Sequence, residues 1–183
     1  SVESTGSVAV HCRVDLASSD GGASSASGAL DVGLARSELG CAVDTPSLYV
    51  THAAAGLQYG PRFRTLQQIW SGSAVGLAHL HRRSSRQGTS VHPADLDGAL
   101  QLSLVLGGPS VGSAGNGPRL PFAVDAARLC GVDASELWAR VVSTGAESVG
   151  VDLFERGGCS SASLDGFRSR ELRAAKPPSQ PLY

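Results

Sequence analysis

Apolar positions in this chain recur with strand-like alternation in some stretches and with helical spacing in others. Residues 7–16 (SVAVHCRVDL) are β-branched and partly alternating, which predicts a strand. Residues 17–28 (ASSDGGASSASG) are small, polar and glycine-rich, a linker composition. The linker isolates that first strand, which is therefore expected to belong to a sheet whose other strands lie upstream. Residues 29–39 read as a helix ending near Gly40. A second short helix is predicted over 47–55, after Pro46 and before Gly56. Residues 63–70 and 74–81 read as strands around the turn Ser71-Gly72-Ser73, and 82–89 as a polar, basic loop.

Residues 93–106 form the most decisive element. Pro93 suits a first helical position, and Gly107-Gly108-Pro109 is a stop. Leu96, Ala99, Leu100, Leu102, Leu104, Val105 and Leu106 cover most of the helix circumference, so burial on nearly all sides is expected. A glycine-rich loop (107–117) leads to three strand candidates, 120–129, 137–143 and 148–154. Gly157-Gly158 then marks a hairpin, and 160–172 returns as a further strand. The tail, 174–183, carries Pro177-Pro178 and Pro181 and reads as a linker. One central apolar helix followed by antiparallel strands implies an α+β layer with the sheet wrapped on the helix.

Composition narrows the function classes. At 183 residues the chain has room for one domain. The net charge of −1 gives no footprint for nucleic acid or an anionic membrane. No apolar run has the length of a bilayer span and no signal region opens the chain, so a cytoplasmic location is expected. Cys12, Cys41, Cys130 and Cys159 lie far apart, with no metal-ligand spacing. They read as reduced thiols, with a single disulfide left open. There is no methionine, even at position 1, so the chain reads as part of a longer polypeptide.

The chemistry lies at the start of the apolar helix. Asp95 and Asp97 sit there, and Gln101 follows Asp97 by one turn, on the same face, where it can hydrogen-bond the carboxylate. Carboxylates near a helix N-terminus are favoured by the dipole, so both aspartates could simply occupy the first turn. Alternatively one faces an apolar pocket; desolvation then raises its pKa and makes it a general acid.

His92-Pro93-Ala94-Asp95-Leu96-Asp97-Gly98-Ala99-Leu100-Gln101 resembles the HPxLLDxxxQ/H motif of polyketide synthase dehydratases. Gly56-Leu57-Gln58-Tyr59-Gly60-Pro61-Arg62-Phe63 resembles that family's GxxYGPxF motif, and Leu120-Pro121-Phe122 its LPF element. Val151-Asp152-Leu153-Phe154, Gly157-Gly158, Asp165-Gly166 and the stretch 168–172 resemble its closing hairpin. Order and spacing agree over roughly residues 29–173.

The resemblance implies a double hot dog, two tandem hot-dog folds with one active site between them, of which 29–173 is the C-terminal half. Residues 1–28 are then the end of the first half and the inter-half linker. Asp97 corresponds to the catalytic aspartate and Gln101 to the residue that orients it. Tyr59 lines the site, Gly60 and Pro61 shape its turn, and His92 sets the helix start. Asp95 replaces a usually apolar residue and is expected to point to solvent. In that family the catalytic histidine lies in an HxxxGxxxxP motif of the N-terminal half, and it is expected on such a partner half. His11, His52, His79 and His81 are expected to be solvated or structural.

The implied reaction is dehydration of a 3-hydroxyacyl thioester, carried on the phosphopantetheine of an acyl carrier protein, without metal or redox cofactor. Partners would be that carrier, the N-terminal half, neighbouring synthase domains and a second copy in a homodimer. The competing readings are a non-catalytic scaffold half-domain, a double-bond isomerase or product-template cyclase on the same fold, and a homodimeric single-hot-dog thioesterase or hydratase. Asp97, Gln101 and Tyr59 speak against decay, and the YGP and LPF elements against the last reading.

Overall fold

Alternation along the strands decides the architecture. The computed structural model describes residues 13–15, 29–39, 41–83, 85, 87–106, 119–130, 136–145 and 147–171. The expected 107–117 loop and 174–183 tail lie outside these residues, as do the expected strand 7–16 and linker 17–28 apart from 13–15, which carry no regular element. In chain order the elements are α1 (Val32–Glu38), β1 (Cys41–Val43), α2 (Thr45–Ala54), β2 (Leu66–Ser71), β3 (Val75–Leu80), α3 (Pro93–Leu102), β4 (Arg119–Ala123), β5 (Ala126–Leu129), β6 (Leu137–Ser143), β7 (Val149–Glu155) and β8 (Ser160–Glu171). Short 3-10 turns occupy Pro61–Phe63 and Ser103–Val105.

The strands form one antiparallel sheet in the order β1-β2-β3-β6-β7-β8-β4, with β5 also pairing β8. Successive side chains of a strand point to opposite faces. On β6, Leu137, Ala139 and Val141 enter one apolar cluster while Trp138 enters another. The first cluster, with Leu66, Ile69, Ala78, Leu80, Val151 and Leu153, is closed by Ala99 and Leu102 of α3. The second lies on the opposite face, where Leu77, Trp138 and Phe154 pack under Leu39 and the α1 residues Val32 and Ala35. The sheet thus wraps one helix and carries another on its back, the expected α+β hot-dog arrangement.

Two glycines permit close approaches. A Cβ on Gly98 would fall inside the Thr65 hydroxyl, so glycine lets α3 lie flush against the start of β2. Gly158 turns the β7–β8 hairpin at φ +80, and a Cβ there would come within 2.7 Å of the Leu30 carbonyl oxygen.

Some element boundaries differ from expectation. The predicted strand 63–70 begins only at Leu66, because Pro61 starts a 3-10 turn through Phe63. The predicted strand 120–129 breaks at Val124-Asp125 into β4 and β5. There the Asp125 N–H donates to the Asp165 carbonyl, its carboxylate pairs with Arg168, and Gly166 kinks β8 at φ +62. The predicted helix 93–106 tightens into a 3-10 turn after Leu102. It is not buried all round: Leu96, Leu100 and Leu104 are only half-buried, opposite the Ala94, Gly98 and Leu102 face. No helix among the described residues is long and apolar enough to cross a membrane.

Candidate active site

The start of α3 is fixed by its own sequence. His92 is the N-cap, its Nδ1 accepting from the Ala94 N–H at 3.1 Å, and Pro93 follows with no N–H to satisfy. His92 is thereby committed to the helix end. One turn on, Asp97 and Gln101 share a face. Gln101 Nε2 donates to Asp97 Oδ2 at 2.7 Å and to the Phe63 carbonyl at 2.9 Å. Gln101 is buried, so one amide ties the carboxylate to the turn after Tyr59. Burial pushes the Asp97 carboxyl above the usual aspartate range, and the Gln101 hydrogen bond opposes part of that rise.

Asp95 corrects the expectation. It does not point to solvent; it is buried, with 4% of its surface exposed. Two residues along a helix is about half a turn, which places Asp95 on the inner side when Asp97 faces outward. Arg83, from the loop after β3, meets it in a two-pronged ion pair, with Nη2–Oδ1 at 2.7 Å and Nε–Oδ2 at 3.0 Å. A buried carboxylate is tolerable because the guanidinium fork occupies both oxygens. The two aspartates therefore differ in kind: Asp95 is held in an ion pair, and Asp97 has no cationic partner among the described residues.

Tyr59 lies in the turn between α2 and β2. Gly60 is extended (φ −72, ψ 165), and a Cβ there would meet nothing within 4 Å, so the turn itself does not require glycine. Pro61 sets the 3-10 turn, closed by the Phe63 N–H on the Gly60 carbonyl at 2.9 Å. Arg64 Nε holds the Tyr59 carbonyl at 2.9 Å. The Tyr59 phenol is pushed up to about 12, first by burial, then by the negative charge of Asp97, then by Tyr49. Tyr59 and Asp97 are thus within electrostatic reach of each other.

Residues 47–55, read in the sequence only as a short helix, supply the ring's surroundings. Tyr49 and His52, three apart on α2, meet Tyr59 edge-on, with ring centroids 6.3 Å and 5.4 Å from it. The Tyr49 hydroxyl accepts the Leu66 N–H at 3.2 Å. His52 is 2% exposed, neither ring nitrogen has a hydrogen-bond partner among the described residues, and burial lowers its pKa to about 4. It is a neutral wedge behind Tyr59. The i, i+3 spacing of Tyr49 and His52 was the available signal for both. Of the other described histidines, His79 stacks on Trp138 at 4.7 Å and His81 is exposed.

A family model described as "Polyketide synthase dehydratase N-terminal domain" matches residues 27–179. Among curated proteins, polyketide synthase GfsE of Streptomyces halstedii is 36% identical over 140 residues, 73% of this chain and 4% of the relative. The spectinabilin polyketide synthase system protein NorB of Streptomyces orinoci is 36% identical over 138 residues, 73% of this chain and 6% of the relative. Among solved structures, the dehydratase domain from the CurF module of curacin polyketide synthase superposes with TM-score 0.70 at 21% identity, covering 81% of this chain and 54% of that one. A fusion DH domain does so with TM-score 0.64 at 30% identity, covering 73% and 49%. The chain therefore spans a few per cent of the curated relatives' length and about half of the solved domains it matches. On these matches, and on the sheet-wrapped helix that carries Asp97, this chain belongs to the polyketide synthase dehydratase family.

Proposed function

We propose that the chain is the C-terminal hot-dog half of a cytoplasmic dehydratase domain and supplies the general acid for dehydrating a 3-hydroxyacyl thioester held on an acyl carrier protein. The matched family model bears an N-terminal description. Our assignment to the second half rests instead on α3, which carries an aspartate and its orienting glutamine. His52, Gly56 and Pro61 do fit the HxxxGxxxxP spacing, but that stretch overlaps the Tyr59 turn, and His52 is buried with no hydrogen-bond partner among the described residues.

The observation that carries the reading is the contrast between the two aspartates. Asp95 is tied to Arg83 through both carboxylate oxygens. Among the described residues Asp97 has no cationic partner; it is partly desolvated and is aimed by the neutral Gln101 amide. A carboxyl in that setting holds a proton longer than an exposed one and can release it to a leaving group.

In the reaction, a histidine from the N-terminal half takes the α-proton, and the electron pair forms the Cα–Cβ double bond as the Cβ–O bond breaks. Asp97 gives its proton to the departing hydroxyl, which leaves as water. The 2-enoyl thioester, an Asp97 carboxylate and a protonated histidine remain. Gln101 holds the carboxyl at its working angle. Tyr59, whose ring is backed by Tyr49 and His52, offers a neutral hydroxyl at any ordinary pH and donates to the substrate oxygen.

Because acid and base come from different halves, this chain alone should be silent. The test is to incubate it with a 3-hydroxyacyl thioester and look for the 2-enoyl product by mass, with and without a histidine-bearing half. Product is expected only with both. Turnover by the chain alone, abolished by Asp97→Asn, would show that a local histidine supplies the base.

A further inference from the structure

Beside the Asp95–Arg83 pair lies a cavity of about 300 Å3 lined by four arginines, Arg62, Arg64, Arg82 and Arg83, together with Pro61 and His81, over a floor at Thr65. Its commitments are uneven. Arg83 is spent on Asp95, and Arg64 places its Nε on the Tyr59 carbonyl. Arg62 and Arg82 are exposed, and among the described residues neither has a carboxylate partner. No acidic side chain among the described residues lines the cavity. Among the described residues two guanidinium groups thus lack a carboxylate partner, with a third beside them, and a planar guanidinium pairs well with phosphoryl oxygens.

The floor is rigid. Thr65 donates to the Ala94 carbonyl at 3.3 Å, so it is tied to the first turn of α3. A second cavity of about 580 Å3 shares Arg64 and His81 with the first, and its walls include the apolar Pro46, Val50, Ala53 and Leu66. It also includes Tyr49, whose ring abuts Tyr59. A cationic cup thus opens onto an apolar groove that leads toward the Tyr59 cluster, a pairing that fits a phosphate attached to a largely uncharged chain.

We propose that Arg62 and Arg82, with Arg64, bind the phosphate of the substrate's phosphopantetheine arm. This rests on the dehydratase reading for the identity of the ligand, but not for the pocket. Free phosphate offers the same anion without the chain, so the probes separate the two. The experiment measures binding of 4′-phosphopantetheine, pantetheine and inorganic phosphate to the chain by calorimetry, for wild type and for the Arg62→Gln/Arg82→Gln double variant. Wild type should favour 4′-phosphopantetheine over both other probes by about tenfold or more, an advantage that shrinks with added salt. The variant, changed only at exposed positions, should keep its melting temperature and lose the advantage.

Equal affinity for 4′-phosphopantetheine and pantetheine, no detectable binding of any probe, or an advantage unchanged in the variant would overturn the proposal. Inorganic phosphate binding as tightly as 4′-phosphopantetheine would reduce the pocket to a free-anion site and overturn it equally. The dehydratase reading fails separately: phosphate discrimination without Asp97-dependent turnover would remove that reading and leave the pocket.

Discussion

At the scale of single residues, Asp97 and His52 make opposite demands on pH. Asp97 has a raised native pKa, so it favours the fold while protonated and costs stability as pH rises through that pKa. Asparagine keeps an acceptor for Gln101 and removes the charge. Asp97→Asn should therefore melt at the same temperature or higher at pH 7; a clear loss of stability in thermal unfolding would mean that the ionised carboxylate is structural. His52 is the reverse case. Its pKa falls from the ordinary 6.5 to about 4, so the unfolded chain takes up a proton that the native chain refuses. Stability should fall as pH drops from about 6.5 toward about 4, and His52→Leu should flatten that slope in denaturant titrations across the same range. An unchanged slope would contradict a neutral, buried His52. The Asp97–Gln101 pair was legible in the sequence, because i, i+4 spacing alone puts them together. The direction of Asp95 was not, because its partner Arg83 is twelve residues earlier in a loop whose path depends on β3.

At the scale of elements, α3 works because it lies close to the sheet. Gly98 has no room for a methyl against Thr65. Gly98→Ala should cost about 1–3 kcal/mol, the usual scale for overpacking. Thr65→Ala, which removes the obstructing hydroxyl, should recover part of it in the double variant. Additive losses in a double-mutant cycle would show that the two do not touch. The strands β6, β7 and β8 and the helix α3 were legible because their apolar periods are long and clean. Boundaries failed where a tertiary contact intervenes. The β4–β5 break depends on Asp125 bonding across to Asp165 and Arg168, some forty residues on, which no local pattern encodes. The three-residue β1 is too short to show a period and exists by pairing with β2.

At the scale of the whole molecule, apolar surface remains uncovered among the described residues. Leu120, Phe122, Val124 and Leu129 are exposed on β4, β5 and the link between them, beside a cavity of about 890 Å3. Such a patch predicts association. Sedimentation of the isolated chain should show concentration-dependent self-association, reduced by Phe122→Ser/Leu129→Ser; a monomer at every concentration would argue that the patch needs no cover. The family resemblance was legible through three ordered motifs, whereas the basic cavity was not, since Arg62, Arg64 and Arg82 converge only after β2 and β3 pair. The most direct test of the central claim is turnover by this chain combined with a histidine-bearing N-terminal half, wild type against Asp97→Asn, with the 2-enoyl thioester counted by mass. A positioned acid predicts a loss of about 10²-fold or more with the fold intact, whereas near-equal turnover by the two proteins would contradict it.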